Sequence, residues 1–287
     1  MRWPPPPDWP HADLSRQIYC RPHRWHVQET GTGDTLLLLH GAGGSTHSFR
    51  DLIRLLSQHY HVIALDLPGQ GFTQLGARHR SGLEATANDI IGLCDQEAWH
   101  PSALIGHSAG GALALRLSQA LLSPQGQPPK VIGINPALDT FKGVAGVLFP
   151  ALAKVLSAVP FTAQIFASTS RTPQRIEALI RSTGSDIDLA GLSLYQRLIG
   201  DRDHADAALI MMAQWSLEGL VADLPDVDAT TLFIAGDQDG VVPASVSDKA
   251  AARLPKATVV HLPHLGHLAH EEAPEEVTEL IRDFLTG

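Results

Sequence analysis

The chain has 287 residues, 44% of them hydrophobic and 18% charged, and carries 21 basic against 30 acidic side chains for a net charge of −9. An acidic balance with no run of Lys or Arg longer than two argues against a nucleic-acid partner, because phosphate binding needs clustered positive charge. The 25 glycines and 20 prolines stay well short of the ~25–30% share that marks low complexity, so a chain of this length is expected to bury a large core.

In chain order, a Pro-rich leader opens the sequence, and residues 1–23 are expected to form an extended arm. The stretch MRWPPPPDWPHADLSR lacks the apolar centre of a signal peptide, and no stretch approaches the ~20 apolar residues that span a bilayer. The expected compartment is therefore the cytoplasm. Short apolar runs at 24–29 (RWHVQE), 35–39 (TLLLL), 62–66 (VIALD), 103–105, 131–134, 231–235 (TLFIA) and 258–262 read as strands. Residues 50–59, 83–97, 110–122 and 274–285 place apolar side chains three and four apart and read as helices between them. This alternation predicts an α/β fold with a mostly parallel sheet and helices on both faces.

From 134 to 231 the rhythm stops, over far more residues than one crossover helix needs. Helical patterns at 143–159, 173–183, 189–199 and 205–219 predict an inserted helical cap over 136–219, with 24–135 and 220–287 as the core. Residues 143–170 hold a single charge, Lys154, and include Pro150 and Pro160, which make one continuous helix there unfavourable. Such a stretch packs a cap, lines a pocket for a large hydrophobic molecule, or touches a partner or a membrane surface; a pocket is the expectation.

The sharpest chemical signal is Gly106-His107-Ser108-Ala109-Gly110, between a strand and a helix. It matches the G-x-S-x-G elbow, in which a serine on a strained turn projects its hydroxyl, and flanking glycines leave room for the turn. A serine hydroxyl needs a base to take its proton and a carboxylate to orient that base. His267, in HLPHLGHLAHEE, is the candidate base, and Asp237 and Asp239, in GDQDGVVP, are the candidate acids. His261, His264, His267 and His270 recur every three residues, which is not the i, i+4 spacing of a helical metal pair, and no metal is expected. Cys20 and Cys94 stand far apart and are expected to be reduced, structural thiols.

The order Ser, Asp, His, together with LLLLHGAGG after an early strand, resembles the α/β-hydrolase superfamily over residues 24–285. The resemblance implies an α/β-hydrolase fold, Asp239 rather than Asp237 as the acid, and an acyl-enzyme mechanism with no cofactor. It also implies an oxyanion hole from the backbone amides of Ala42 and Ala109, supported by His40, Gly41, Gly106, His107 and Gly110. Gly43 and Gly44 would keep that loop close to the substrate. The serine disfavours the reactions of haloalkane dehalogenases and epoxide hydrolases, relatives with an aspartate nucleophile. RWHVQETG, DLPGQGFT, STGSDIDLAGLSLYQRL, ALIMMAQWSLEGL and LPHLGHLAHEEAP are similar to a narrower family, the BchO-type magnesium-chelatase accessory proteins of bacteriochlorophyll biosynthesis. That likeness implies a role near magnesium insertion, a tetrapyrrole or other hydrophobic ligand, and a magnesium-chelatase subunit as partner.

Overall fold

Leu36 to Leu39 are each at most 1% exposed, which is achieved only by a strand covered on both faces. Alternate leucines go to opposite sides: Leu37 and Leu39 join one core cluster with Ile63, Leu65 and Leu104, and Leu36 and Leu38 join another with Val62, Ala64 and Ile105. The computed structural model describes residues 1–139 and 172–287, so the helix expected over 143–159 and the apolar stretch 143–170 lie outside the described residues.

Among the described residues the strands are β1 (Ser15–Cys20), β2 (His23–Thr30), β3 (Thr35–Leu39), β4 (His61–Leu65), β5 (Ala103–His107), β6 (Lys130–Ile134), β7 (Thr231–Gly236) and β8 (Ala257–Leu262). They form one sheet in the order β1-β2-β4-β3-β5-β6-β7-β8. β1 and β2 are antiparallel to each other and β2 to β4, and every other neighbouring pair is parallel. Helices α1 (Arg50–Leu56) and, near the C-terminus, Pro274–Thr286 cover one face through Leu52, Ile53, Leu56, Val277 and Ile281. Helices α2 (Leu83–Glu97) and α3 (Ala109–Ser118) cover the other through Leu83, Ile90, Leu93 and Leu113.

Between β6 and β7 the described chain is helical: α4 (Pro173–Ser182), α5 (Leu189–Ile199), α6 (Arg202–Gln214) and α7 (Glu218–Asp223). The single helix expected over 205–219 is two. Asp201 caps α6 by accepting from the His204 amide, so the helix starts earlier, and Trp215 adopts extended backbone that ends it. After β7 come α8 (Ser245–Ala251), α9 (Ala269–Glu272) and α10 (Pro274–Thr286). The leader also differs from the extended arm expected over 1–23. Trp9 is buried edge-on against Phe72 at 5.1 Å, and Ser15–Cys20 is the edge strand β1. α5 is fastened to the core by Glu271, which is fully buried and accepts from the Tyr195 hydroxyl at 2.6 Å and from the Arg50 guanidinium. No single helix among the described residues is long and apolar enough to cross a membrane.

Asp66, at the end of β4, organises the loops above the sheet. It is buried and accepts from the amides of Thr46 (2.7 Å) and Phe72 (2.8 Å) and from His26 Nδ1 (2.5 Å). Burial opposes its charge, but the adjoining His26, which also hydrogen-bonds to it, and the Phe72 amide outweigh that and hold its carboxyl well below the usual range. A depressed carboxyl contributes stability above its unfolded-state value near ~4 and loses it as pH falls towards the native value. The contribution of a carboxylate paired in this way is about 2–3 kcal/mol. Urea midpoints are therefore expected to drop between pH 5 and pH 3, and Asp66→Asn to start lower and flatten that slope. An equally steep slope in Asp66→Asn would contradict this role.

Candidate active site

β5 ends at His107, and the chain turns sharply into α3 through Ser108 at φ 52°, ψ −116°. A serine held at positive φ is strained and persists only where the surroundings fix it. Here the Ser108 amide donates to Ile134 O (3.0 Å), and its carbonyl accepts from Gly111 N and Ala137 N (both 3.0 Å). The turn has no room for more atoms. A Cβ on Gly106 would lie 2.1 Å from Gly110 O, and one on Gly110 would lie 2.0 Å from Leu39 O. Ser108 itself remains half-buried.

The loop after β3 lies directly against this turn, since a Cβ on Gly41 would approach Ser108 Cβ to 3.0 Å. The orientation of its first peptide is set by His40. Leu67 N donates to His40 Nε2 (2.9 Å), so Nδ1 carries the proton and donates to Gly41 O (2.7 Å), which also accepts from Gly44 N (3.1 Å). His40 is fully buried, which pushes its pKa down and keeps it neutral. A trans peptide points its N–H opposite its carbonyl, so the Ala42 amide faces away from these partners. Ala42 is exposed, and Ala109 opens α3, where the first amides have no intrahelical acceptor. Among the described residues neither amide meets an acceptor.

His267 sits in the turn after β8. Its amide donates to Thr183 O (3.2 Å), and its carbonyl accepts from His107 Nε2 and Asn135 Nδ2 (both 2.9 Å). The ring Nδ1 lies 2.7 Å from Asp239 Oδ2. The Asp239 side chain is fully buried, and its other oxygen accepts from Val241 N (2.7 Å) and Val242 N (2.8 Å). Five groups thus fix one carboxylate against one imidazole. With the Nδ1 proton donated to Asp239, Nε2 keeps its lone pair. Asp237 is not part of this pair; it meets His261 Nδ1 at 2.7 Å on the surface.

The other histidines of the period-three run disperse. His261 joins Asp237 and Asp248, His264 joins Glu276, and His270 is buried with Nε2 2.6 Å from Ser48 Oγ. Among the described residues no three His, Cys, Asp or Glu side chains are grouped to hold a metal ion. Cys20 and Cys94 are free, and burial pushes the Cys94 thiol up to about 12. Asn135, absent from the sequence reading, bridges the site: Nδ2 holds the Gly266 and His267 carbonyls, and Oδ1 accepts from Gly236 N (2.7 Å). Its sequence signal is faint, an Asn between an apolar strand and a Pro. A second Ser-His-Asp chain also exists: Ser15 Oγ is 2.9 Å from His26 Nε2, which is joined through Nδ1 to Asp66. Ser15 has ordinary extended backbone at the start of an edge strand, not an elbow.

Sheet order, elbow and loop define the class, and the chain belongs to the alpha/beta hydrolase family, whose sequence profile matches residues 36–280. It is 46% identical over 284 residues to the "Magnesium-chelatase 30 kDa subunit" of Rhodobacter capsulatus, an alignment covering 98% of each chain. It is 27% identical to a pimeloyl-[acyl-carrier protein] methyl ester esterase of Xanthomonas oryzae pv. oryzae, over 91% of this chain and 99% of that one. An alpha/beta hydrolase fold protein from Burkholderia ambifaria superposes with a TM-score of 0.78 at 22% identity, over 94% of this chain and 98% of that one.

Proposed function

We propose that the protein is a serine hydrolase of ester bonds that works beside magnesium chelatase in bacteriochlorophyll biosynthesis. The observation that carries the reading is the Asp239–His267 pair, joined at 2.7 Å and tied through the His267 carbonyl to His107, the residue before the strained Ser108 elbow. His267 Nε2 takes the Ser108 proton as Oγ attacks the ester carbonyl carbon. The Ala42 and Ala109 amides receive the resulting oxyanion, and each such donor is worth ~3–4 kcal/mol in the transition state. The C–O bond breaks as His267 returns the proton to the leaving alcohol. Water then attacks the acyl-enzyme with His267 again as base, releasing the acid and restoring Ser108. No metal or cofactor enters these steps. His40 and His107 hold backbone on either side of the serine, and the glycines at 41, 106 and 110 let the two turns approach.

The association with the chelatase rests on the 46% identity to a protein carrying that name. In this reading residues 24–135 and 220–287 are the core and 136–219 the cap, which receives a hydrophobic ester such as a tetrapyrrole. The protein works in the cytoplasm. The same identity favours a second reading, a chelatase accessory or tetrapyrrole-binding protein in which the serine is idle. Complementation separates the two in a bacteriochlorophyll-producing host lacking its own 30 kDa relative. The wild-type chain is expected to restore pigment and Ser108→Ala, at equal abundance, to fail. Restoration by Ser108→Ala would overturn hydrolysis as the physiological role.

A further inference from the structure

Helix α6 reaches across to the loop that carries the Ala42 amide. Its His204 is 2% exposed and accepts the Gly71 N–H on Nδ1 (2.9 Å). The proton therefore sits on Nε2, which donates to Gly43 O (3.1 Å). The Gly43 N–H donates to Gln70 Oε1 (2.6 Å), and the Gln70 amide group rests on Met211 Sδ of α6 at 3.0 Å. Both polar atoms of Gly43 are thus held by α6 directly or by a side chain lying on it. Packing contributes little there, because a Cβ on Gly43 would meet nothing within 4 Å. Gly43 also stands at φ +79°, the sign a type II turn demands at its third residue, in the turn closed by Gly44 N to Gly41 O. Burial pushes His204 down to about 4, so it is neutral at ordinary pH, as the bond from Gly71 requires.

We propose that His204 is a positioning residue for ester hydrolysis: by holding Gly43 it fixes the turn that aims the Ala42 amide, so that the seating of α6 and the stabilisation of the oxyanion are a single unit. This rests on the serine-hydrolase reading above. It makes the helical insertion part of the catalytic geometry as well as a cover over it. A substrate that shifts α6 would reorient the oxyanion loop through Gly43.

The test uses the full chain and a fluorophosphonate, whose phosphoryl oxygen takes the oxyanion position, and measures the inactivation constants kinact and KI. For His204→Ala, kinact is expected to fall roughly 10- to 100-fold, less than the ~10²–10³ lost when an oxyanion donor is removed outright. KI should stay within about threefold, since only the transition-state contact is loosened. His204→Gln, whose side-chain amide can still donate to Gly43 O, should recover most of kinact. Gln70→Ala releases the other side of Gly43 while leaving every side chain of α6 itself, His204 included, in place, and should lower kinact in the same selective way, which keeps the test available if His204→Ala fails to fold. Unchanged kinact in the folded variants, a loss confined to KI, or no recovery in His204→Gln would overturn the proposal while leaving the hydrolase reading intact. A folded wild-type chain that does not react at Ser108 would overturn the hydrolase reading, and this inference with it.

Discussion

Ser108→Ala is expected to lower ester hydrolysis by about 10⁴- to 10⁶-fold while the protein stays folded. The hydroxyl is the one group in the proposed reaction with no substitute. The elbow is anchored by backbone atoms, Ser108 N to Ile134 O and Ser108 O to Gly111 N and Ala137 N, none of which the substitution touches. Alanine also keeps the Cβ that abuts Gly41, so the serine turn and the Ala42 loop should stay in register. The melting temperature is therefore expected to move little, which separates lost chemistry from lost structure. Ser15→Ala is the matched control. Ser15 too approaches a His-Asp pair, but it lies at an edge strand with no elbow, and its loss should change hydrolysis by less than about twofold. Ser108→Ala retaining more than about 1% of wild-type activity, or Ser15→Ala abolishing it, would sink the assignment.

Asp239→Asn is expected to cost about 10⁴-fold in kcat, and Asp237→Asn no more than a few-fold. The reason is the direction of one proton. Oδ1 at position 239 is committed to the amides of Val241 and Val242, so an asparagine would keep its oxygen there and turn its NH₂ towards His267. His267 Nδ1 must then accept, its proton moves to Nε2, and the nitrogen that takes the serine proton in the proposed reaction has no lone pair with which to act as base. At 237 the same substitution weakens only an ion pair with His261 at the surface, where such pairs are worth at most ~1 kcal/mol. Steady-state hydrolysis by the two variants decides it, and the reverse ranking would move the acid to Asp237.

The central sheet was legible because its strands are buried on both faces, so Leu36 to Leu39, and Thr231 to Ala235 within β7, appear as unbroken apolar runs. The serine turn was legible for a steric reason, because Gly106 and Gly110 stand where backbone oxygens would lie about 2 Å from any Cβ. β1 was not, because only Ile18 of SRQIYC is buried and an edge strand needs no alternating pattern. The break at Trp215 was hidden for a similar reason: ALIMMAQWSLEGL keeps helical spacing across it, and only the backbone turns away. Sequence spacing left two carboxylates two residues apart, and it was the amides of Val241 and Val242 that held Asp239, not Asp237, against His267. Asn135 and His204 act on backbone carbonyls 132 and 161 residues away, contacts that leave no pattern in the sequence at all.

The measurement that bears most directly on the serine-hydrolase claim is mass spectrometry of the purified chain after reaction with a fluorophosphonate, with the adduct located by peptide mapping. One adduct per chain on the peptide containing Ser108, lost in His267→Ala, is the predicted result. A folded protein that stays unmodified, or carries its adduct at Ser15, would contradict it.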